Sequence, residues 1–362
     1  MRRVRVEDLQ SDMELARTVF DSNGRVLLQV GVTITDAYIT RLRELGVPSV
    51  YVHDEFDNVD LKDVVAEETR VQTIKVVKET FLSLEQEKKI NIRSVQEAVD
   101  KLIDELLCNR NVLVNLADIR TLDDYTFAHS VNVCILSIMC GITMSYHELR
   151  LKELGIGALL HDIGKTKIDL AILNKEEDLT REEFAEIKRH CEYGFNILRQ
   201  CPDVSLLSAH IAFQHHERWD GKGYPRQLKG EKILDYARIV ATADVYDALM
   251  ADRPYRPAYS VSQAITILQR MSGIYLDPQS VSALVANIAM YPIGSIVELN
   301  TGEVGIVVDN NKETPARPVL KIVFDNNKRL IRPHEIDLSK LTTIIIRRTL
   351  NEEDIAALKI SR

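Results

Sequence analysis

Cysteine is scarce in this chain, with five in 362 residues, at Cys108, Cys134, Cys140, Cys191 and Cys201. Their number is odd, none forms a CxxC pair and most sit among apolar neighbours, which argues against a disulfide framework or a zinc knuckle and fits a reducing, cytoplasmic setting. Arg2, Arg3 and Arg5 open the sequence with no apolar stretch behind them, and no run of about eighteen apolar residues follows anywhere. Neither export nor a membrane span is expected. An excess of positive charge is missing too. The 46 Lys and Arg against 54 Asp and Glu leave a net charge of −8, a poor match to polymeric nucleic acid, which needs an electropositive face. A small anionic ligand stays compatible with this balance where cations gather locally. Internal repeats and low-complexity tracts are absent. What is there is globular chemistry, 45% hydrophobic, in a length that suits two or three domains.

Residues 1–60 read as a small α+β domain. RTVF and RVLLQV flank Asp21-Ser22-Asn23-Gly24, whose Asn-Gly suits a hairpin turn; a helix is predicted from Asp36 to Leu45, stopped by Gly46, with VPSVYV as a further strand. No acid, base or nucleophile clusters there, which leaves a regulatory or interaction role, or plain scaffold. Residues 61–118 read as a helical connector, with one helix to about Lys88 and a second from about Ser94. Their apolar stripe packs either on its own chain or in a homodimer. Residues 119–290 are helical patterns joined by short polar loops. From 291 to 362 the period changes to two, in GSIVEL, EVGIVV, PVLKIVF, RLI and TTIII, with turns at Asn300-Thr301-Gly302 and Asp325-Asn326-Asn327. The predicted fold class is mainly α: a helical domain with a small N-terminal α+β domain and a small C-terminal β unit.

The chemistry lies in the helical middle. Five of the nine histidines, His129, His161, His190, His215 and His216, fall there together with Asp162 and Asp244. One inward histidine is ordinarily a hydrogen-bonded core residue. Five with two acids are costly to bury without a cation. His161-Asp162 ends the apolar run LGIGALL. His190 follows a capping-box pattern at Thr180 and Glu183, on one face with Phe184 and Ile187, and so is predicted to point inward with them. Asp244 and Asp247 stand three apart in ARIVATADVYDAL. Imidazole and carboxylate without thiolate suit Fe, Mn, Co, Ni or Zn. A pair of such ions can clamp an in-line displacement at phosphorus and make water nucleophilic near neutral pH. Lys165, three after Asp162, is placed to take a phosphate oxygen if the helix continues through Gly164; alone it would pass for a solvated helix-end lysine.

HDIGK at 161–165, HHERWDGKGYP at 215–225 and ADVYDAL at 243–249, in that order, resemble an HD-GYP domain of the HD phosphohydrolase superfamily. HSVNV at 129–133 and DRPYRPA at 252–258 extend the resemblance over about 120–290, and the α+β unit and YPIGSIVELNTGEVGIVV resemble segments that flank such domains.

The resemblance implies a metal-dependent phosphodiesterase that opens cyclic di-GMP to pGpG or GMP. It implies one metal among His129, His161, Asp162 and Asp244, and a second among Asp162 as bridge, His190, His215 and His216. It assigns Lys165 to the scissile phosphate, Arg253 and Arg256 to phosphate or guanine, and Tyr224 to the pocket rim; Asp247 is placed at water or a purine edge. Tyr125 stands where relatives with a third metal carry glutamate, so two divalent ions are expected, with Fe or Mn first and Co, Ni or Zn behind. Glu217 and Trp219 read as local support, while His53, His147, His210 and His334 match no ligand position. Two alternatives stand beside this: a cyclic-dinucleotide receptor signalling through its flanks, and another HD-type nucleotide phosphohydrolase.

Overall fold

The computed structural model describes residues 2–20, 26–45, 47, 49–53, 64–86, 89–109, 112–114, 125–175, 177–251, 259–350, 354 and 358. The predicted turn at Asp21–Gly24 and the helix stop at Gly46 lie outside them. The chain divides into two units, each built from separated stretches: Met1–Val64, Asn111–Tyr125 and Ile288–Arg362 in one, Val65–Arg110 and Thr126–Asn287 in the other.

In the first unit, β1 (Arg2–Arg5) pairs antiparallel with β4 (Ser49–Val52), and β2 (Val19–Phe20) with β3 (Val26–Leu28). Helix α1 (Asp36–Glu44) starts where the Thr35 hydroxyl accepts from the Tyr38 amide at 3.3 Å, satisfying one of the unpaired N–H groups of a helix start. Val4, Val6, Leu15, Ile34, Leu42 and Val52 close the core beneath it. The same unit carries a five-stranded antiparallel sheet of β5 (Ile296–Leu299), β6 (Val304–Asp309), β7 (Val319–Phe324), β8 (Leu330–Asp337) and β9 (Ile346–Thr349), in the order β8-β7-β6-β5-β9.

Two of its strands depart from the periodicity reading. The short strand expected at RLI runs on to Asp337 through Pro333, which is tolerated because β8 is an edge strand. The strand expected at TTIII begins only at Ile346. The Arg317 guanidinium donates to the carbonyls of Leu338, Leu341, Thr342 and Ile344, holding that stretch in turns and away from a ladder.

The second unit is helical. Helices α2 (Glu67–Glu85) and α3 (Ile92–Cys108) form a pair in which the Thr69 hydroxyl donates to Glu105 at 2.5 Å. The α3 stripe Ile92, Val95, Val99, Leu102, Ile103 and Leu106 is buried within this chain, against α2 and α5. Helix α4 (Tyr125–Thr143) is mostly apolar, with Val131, Val133, Ile135, Leu136 and Ile138 at zero exposure, which marks a central core helix. It is long and apolar enough to cross a membrane, yet most of it is buried inside the protein.

Helix α5 (Glu148–Leu159) leads to a 3-10 turn at Ile163–Lys167, followed by α6 (Leu170–Leu173), α7 (Arg181–Lys188) and α8 (His190–Leu198). Then come α9 (Leu206–Gln214), α10 (Asp235–Met250), α11 (Val261–Met271) and α12 (Pro278–Val285). The Thr180–Glu183 capping box is present at the start of α7.

Candidate metal centre

Three helix ends converge. His161 follows the end of α5, His190 opens α8 and His215 closes α9. Each imidazole lies with Nδ1 against a backbone carbonyl: His161 on Ala158 at 2.8 Å, His190 on Ile187 at 2.7 Å and His215 on Ala212 at 3.0 Å. A carbonyl only accepts, so Nδ1 carries the hydrogen and Nε2 presents a lone pair to the cavity. All three rings are buried.

The consequence shows in the distances. His190 Nε2 stands 3.2 Å from His215 Nε2, and Asp162 Oδ1 lies 3.5 Å from the first and 3.8 Å from the second. That carboxylate oxygen is buried without a hydrogen-bond partner among the described residues. Two nitrogen lone pairs and an anionic oxygen turned on one point repel unless a cation sits among them, and this donor set fits one.

Ligand atoms of Asp162, His190, His215 and His216 lie within 4.8 Å of one another, and so do those of His129, His161 and Asp162. Asp162 is common to both groups, one oxygen toward His190 and His215, the other 3.4 Å from His161 Nε2 and 2.5 Å from Lys165 Nζ. Asp244 joins the second group through Oδ1, 3.1 Å from His129 Nε2. The structure therefore brings together the seven side chains expected at the two metals.

Burial sets the charge state. It lowers the His190 pKa, drives His215 well below the ordinary value and holds His216 down at about 4. These rings are neutral near pH 7, the form that ligates metal. His129 goes the other way: burial lowers its pKa, but hydrogen bonds to Asp244 and Asp247 outweigh that and push it up to about 10, so a metal ion bound there has to displace the Nε2 proton that faces Asp244. At Asp162 burial works against ionisation, yet Lys165 and His161 hold the carboxyl well below the usual range, so it is an anion.

Packing explains how the centre is assembled. A Cβ on Gly164 would stand 1.9 Å from the His190 carbonyl oxygen and 2.5 Å from the Gly194 nitrogen. Glycine is what lets the 3-10 turn press on α8 and bring Asp162 to His190. The 3-10 turn, where a continued helix was one prospect, carries Lys165 back over Asp162.

Beyond His216 the chain folds over on itself. Glu217, 4% exposed, accepts from the Arg226 amide at 2.7 Å and the Leu228 amide at 2.9 Å, and the Tyr224 amide donates to the His216 carbonyl at 3.1 Å. This lays the Tyr224 ring on His216, centroids 4.7 Å apart. The Trp219 amide donates to the Tyr275 carbonyl at 2.9 Å, so Trp219 belongs to the packing of this loop.

Asp247, expected at water or a purine edge, is buried behind His129. Its fully buried carboxylate lies 2.7 Å from His129 Nδ1 and accepts from Asn132 Nδ2 at 3.0 Å, behind the ring whose other nitrogen meets Asp244. The three-residue spacing to Asp244 puts the two acids on opposite edges of one imidazole. Asn132 carried no signal in the sequence, being one amide in the apolar run of α4. Phe184 is a departure: expected inward with His190, it is 48% exposed, because α7 ends at Lys188 and a break at Arg189 turns the face before α8 begins. Arg253, Arg256 and the Tyr125 side chain lie outside what the structure describes. His210 packs its ring on Phe195 and Phe213, a core role.

Residues 104–280 match the family model of the HD domain, and residues 296–358 match a KOW domain associated with HD domains. A cyclic di-GMP phosphodiesterase of Pseudomonas aeruginosa is 35% identical over 247 residues, 68% of this chain and 59% of that protein. A cyclic di-GMP phosphodiesterase of Thermotoga maritima is 37% identical over 192 residues, 53% of this chain and 52% of that one. A 3'3'-cGAMP-specific phosphodiesterase of Vibrio cholerae is 35% identical over 168 residues, 46% of this chain and 36% of the relative. The chain thus spans between a third and three fifths of the length of these curated relatives.

Proposed function

We propose, from the premise that the chain belongs to the HD-GYP group of the HD domain family, that it is a metal-dependent phosphodiesterase that opens cyclic di-GMP to pGpG, GMP or both. The observation that carries this reading is Asp162, a buried anion shared by two groups of inward-turned imidazole nitrogens, one of its oxygens without a hydrogen-bond partner among the described residues. The first metal is assigned to His129, His161, Asp162 and Asp244, the second to Asp162, His190, His215 and His216, with Fe or Mn as the native ions. When bound, such a pair supplies positive charge to the phosphoryl oxygens and lowers the pKa of water to near 7.

The chain's own residues supply the rest. Lys165, resting on Asp162, is placed to neutralise a non-bridging oxygen of the scissile phosphate. Tyr224 offers an aromatic rim beside His216, and Arg253 and Arg256 are assigned to phosphate or guanine by their place in the motif. Asp247 acts through His129, whose ring it holds with its Nε2 toward Asp244. Residues 1–60 serve as a regulatory or interaction module, and the five free thiols support a cytoplasmic setting.

The test is turnover of a substrate panel, cyclic di-GMP, 3'3'-cGAMP and nucleoside triphosphates, by protein loaded with Mn²⁺ or with Fe²⁺ under anaerobic conditions. Cyclic di-GMP is expected to be consumed fastest, and Asp162→Ala is expected to lose bound metal and turnover together. Metal-loaded protein that binds cyclic di-GMP and releases no pGpG or GMP overturns the enzymatic reading. Preference for 3'3'-cGAMP, which the Vibrio relative makes the second reading, shows as a reversed order in the panel.

A further inference from the structure

Next to the proposed centre an ammonium is held over aromatic rings, with no ion-pair partner among the described residues. Lys188, the last residue of α7, sets Nζ 5.1 Å from the centroid of the Phe184 ring and 6.0 Å from that of Tyr224, the ring lying on His216. The acids of its own helix that form ion pairs are engaged elsewhere: Glu183 by Lys175 and the capping box, Glu186 by Arg189 and the Tyr193 hydroxyl. Among the described residues Lys188 forms no ion pair. A cation held over two aromatic faces is attracted by both rings and still has its charge to give to an anion. Phe184, one helical turn before it, is 48% exposed although it belongs to an apolar face by spacing.

Resting on the function proposed above, we infer that Phe184 and Lys188 form a subsite for the half of the cyclic dinucleotide that is not being cleaved. The ammonium takes the second phosphate and the open part of the phenyl ring stacks on the second base. A cyclic dinucleotide has two phosphates and two purines in one ring, so a centre that holds one phosphate leaves the other beside the rim. Tyr224 lies 4.7 Å from His216, ring to ring, and 6.0 Å from the Lys188 ammonium, and so links the centre to α7. Stacking of a base on an aromatic ring and pairing of an ammonium with phosphate are the two interactions that this surface can make.

The experiment compares cyclic di-GMP with bis(p-nitrophenyl) phosphate, a diester that has neither a second phosphate nor a purine, on Mn²⁺-loaded wild type, Lys188→Met, Phe184→Ala and Phe184→Tyr. The ratio of kcat/KM for cyclic di-GMP to that for the small diester is expected to fall about tenfold in Lys188→Met and in Phe184→Ala, through KM, and to be kept in Phe184→Tyr. Equal losses on both substrates overturn the subsite, since they point to a general effect on the centre. Unchanged ratios in both variants, with wild type active on cyclic di-GMP, overturn the subsite alone. Wild type inactive on cyclic di-GMP overturns the proposed function and the subsite with it.

Discussion

At the scale of single residues, the centre is a matter of which nitrogen faces where. Backbone carbonyls take the Nδ1 hydrogens of His161, His190 and His215 and so fix the direction of three lone pairs. His129 is fixed by a side chain instead, which makes Asp247 a sensitive position. Asp247→Ala removes the group on Nδ1 while Asp244 stays, and metal affinity measured by competition with a chelator is expected to fall about 10- to 100-fold. Retained affinity would mean that Asp247 does not orient the ring.

Gly164 is as sensitive for a steric reason. Gly164→Ala places a methyl group 1.9 Å from the His190 carbonyl oxygen, where the backbone itself must move. A loss of about 1–3 kcal/mol in denaturant unfolding is expected, together with reduced metal content. Full metal occupancy with unchanged stability would contradict the close approach of turn and helix.

At the scale of elements, the loop after α9 depends on one carboxylate. Glu217 collects the amides of Arg226 and Leu228, and the loop so closed holds Tyr224 on His216. Glu217→Ala leaves those two N–H groups without their acceptor, with an expected cost of about 1–3 kcal/mol. Limited proteolysis between 218 and 230 is expected to quicken, and an unchanged cleavage rate would show that other contacts close the loop.

Helix α7 shows how an element can be foreseen and its orientation missed. The capping box gave its start, and Thr180 and Glu183 do cap it. The face of Phe184 could not be read, because the break at Arg189 separates it from His190 and spacing has no meaning across a break.

At the scale of the whole molecule, the chain forms two units from interleaved stretches, and charge matters differently in each. In the helical unit charges meet at the centre. In the β sheet Glu298 on β5 holds Lys328 at 2.6 Å and Arg348 on β9 at 2.8 Å, and these partners bring its pKa down from 4.5 to about 2. A carboxylate with a depressed folded-state pKa stabilises above its unfolded value and loses that contribution as pH falls through the folded one. Wild type is therefore expected to lose stability between about pH 4.5 and pH 2 by this route. Glu298→Gln is expected to be about 1–2 kcal/mol less stable at pH 7, with the difference shrinking toward pH 2. A difference that is the same at both ends of that range would place the effect in packing and leave no part to charge.

The amino-acid sequence determined the residue types at the centre, their order along the chain, the helical middle and the β segment after it, because these follow from composition, periodicity and short motifs. It also singled out Asp162 and the five histidines, since so many titratable groups on apolar helices demand a common explanation. Tertiary packing alone decided that Asp247 stands behind His129, that Asn132 steadies it, and that Phe184 stays exposed with Lys188 over its ring. The physical reason is that a cavity is bounded by the ends of helices far apart in sequence. Spacing fixes which face a side chain occupies within one helix, while the distance between two helix ends is set by close contacts such as that of Gly164 on His190.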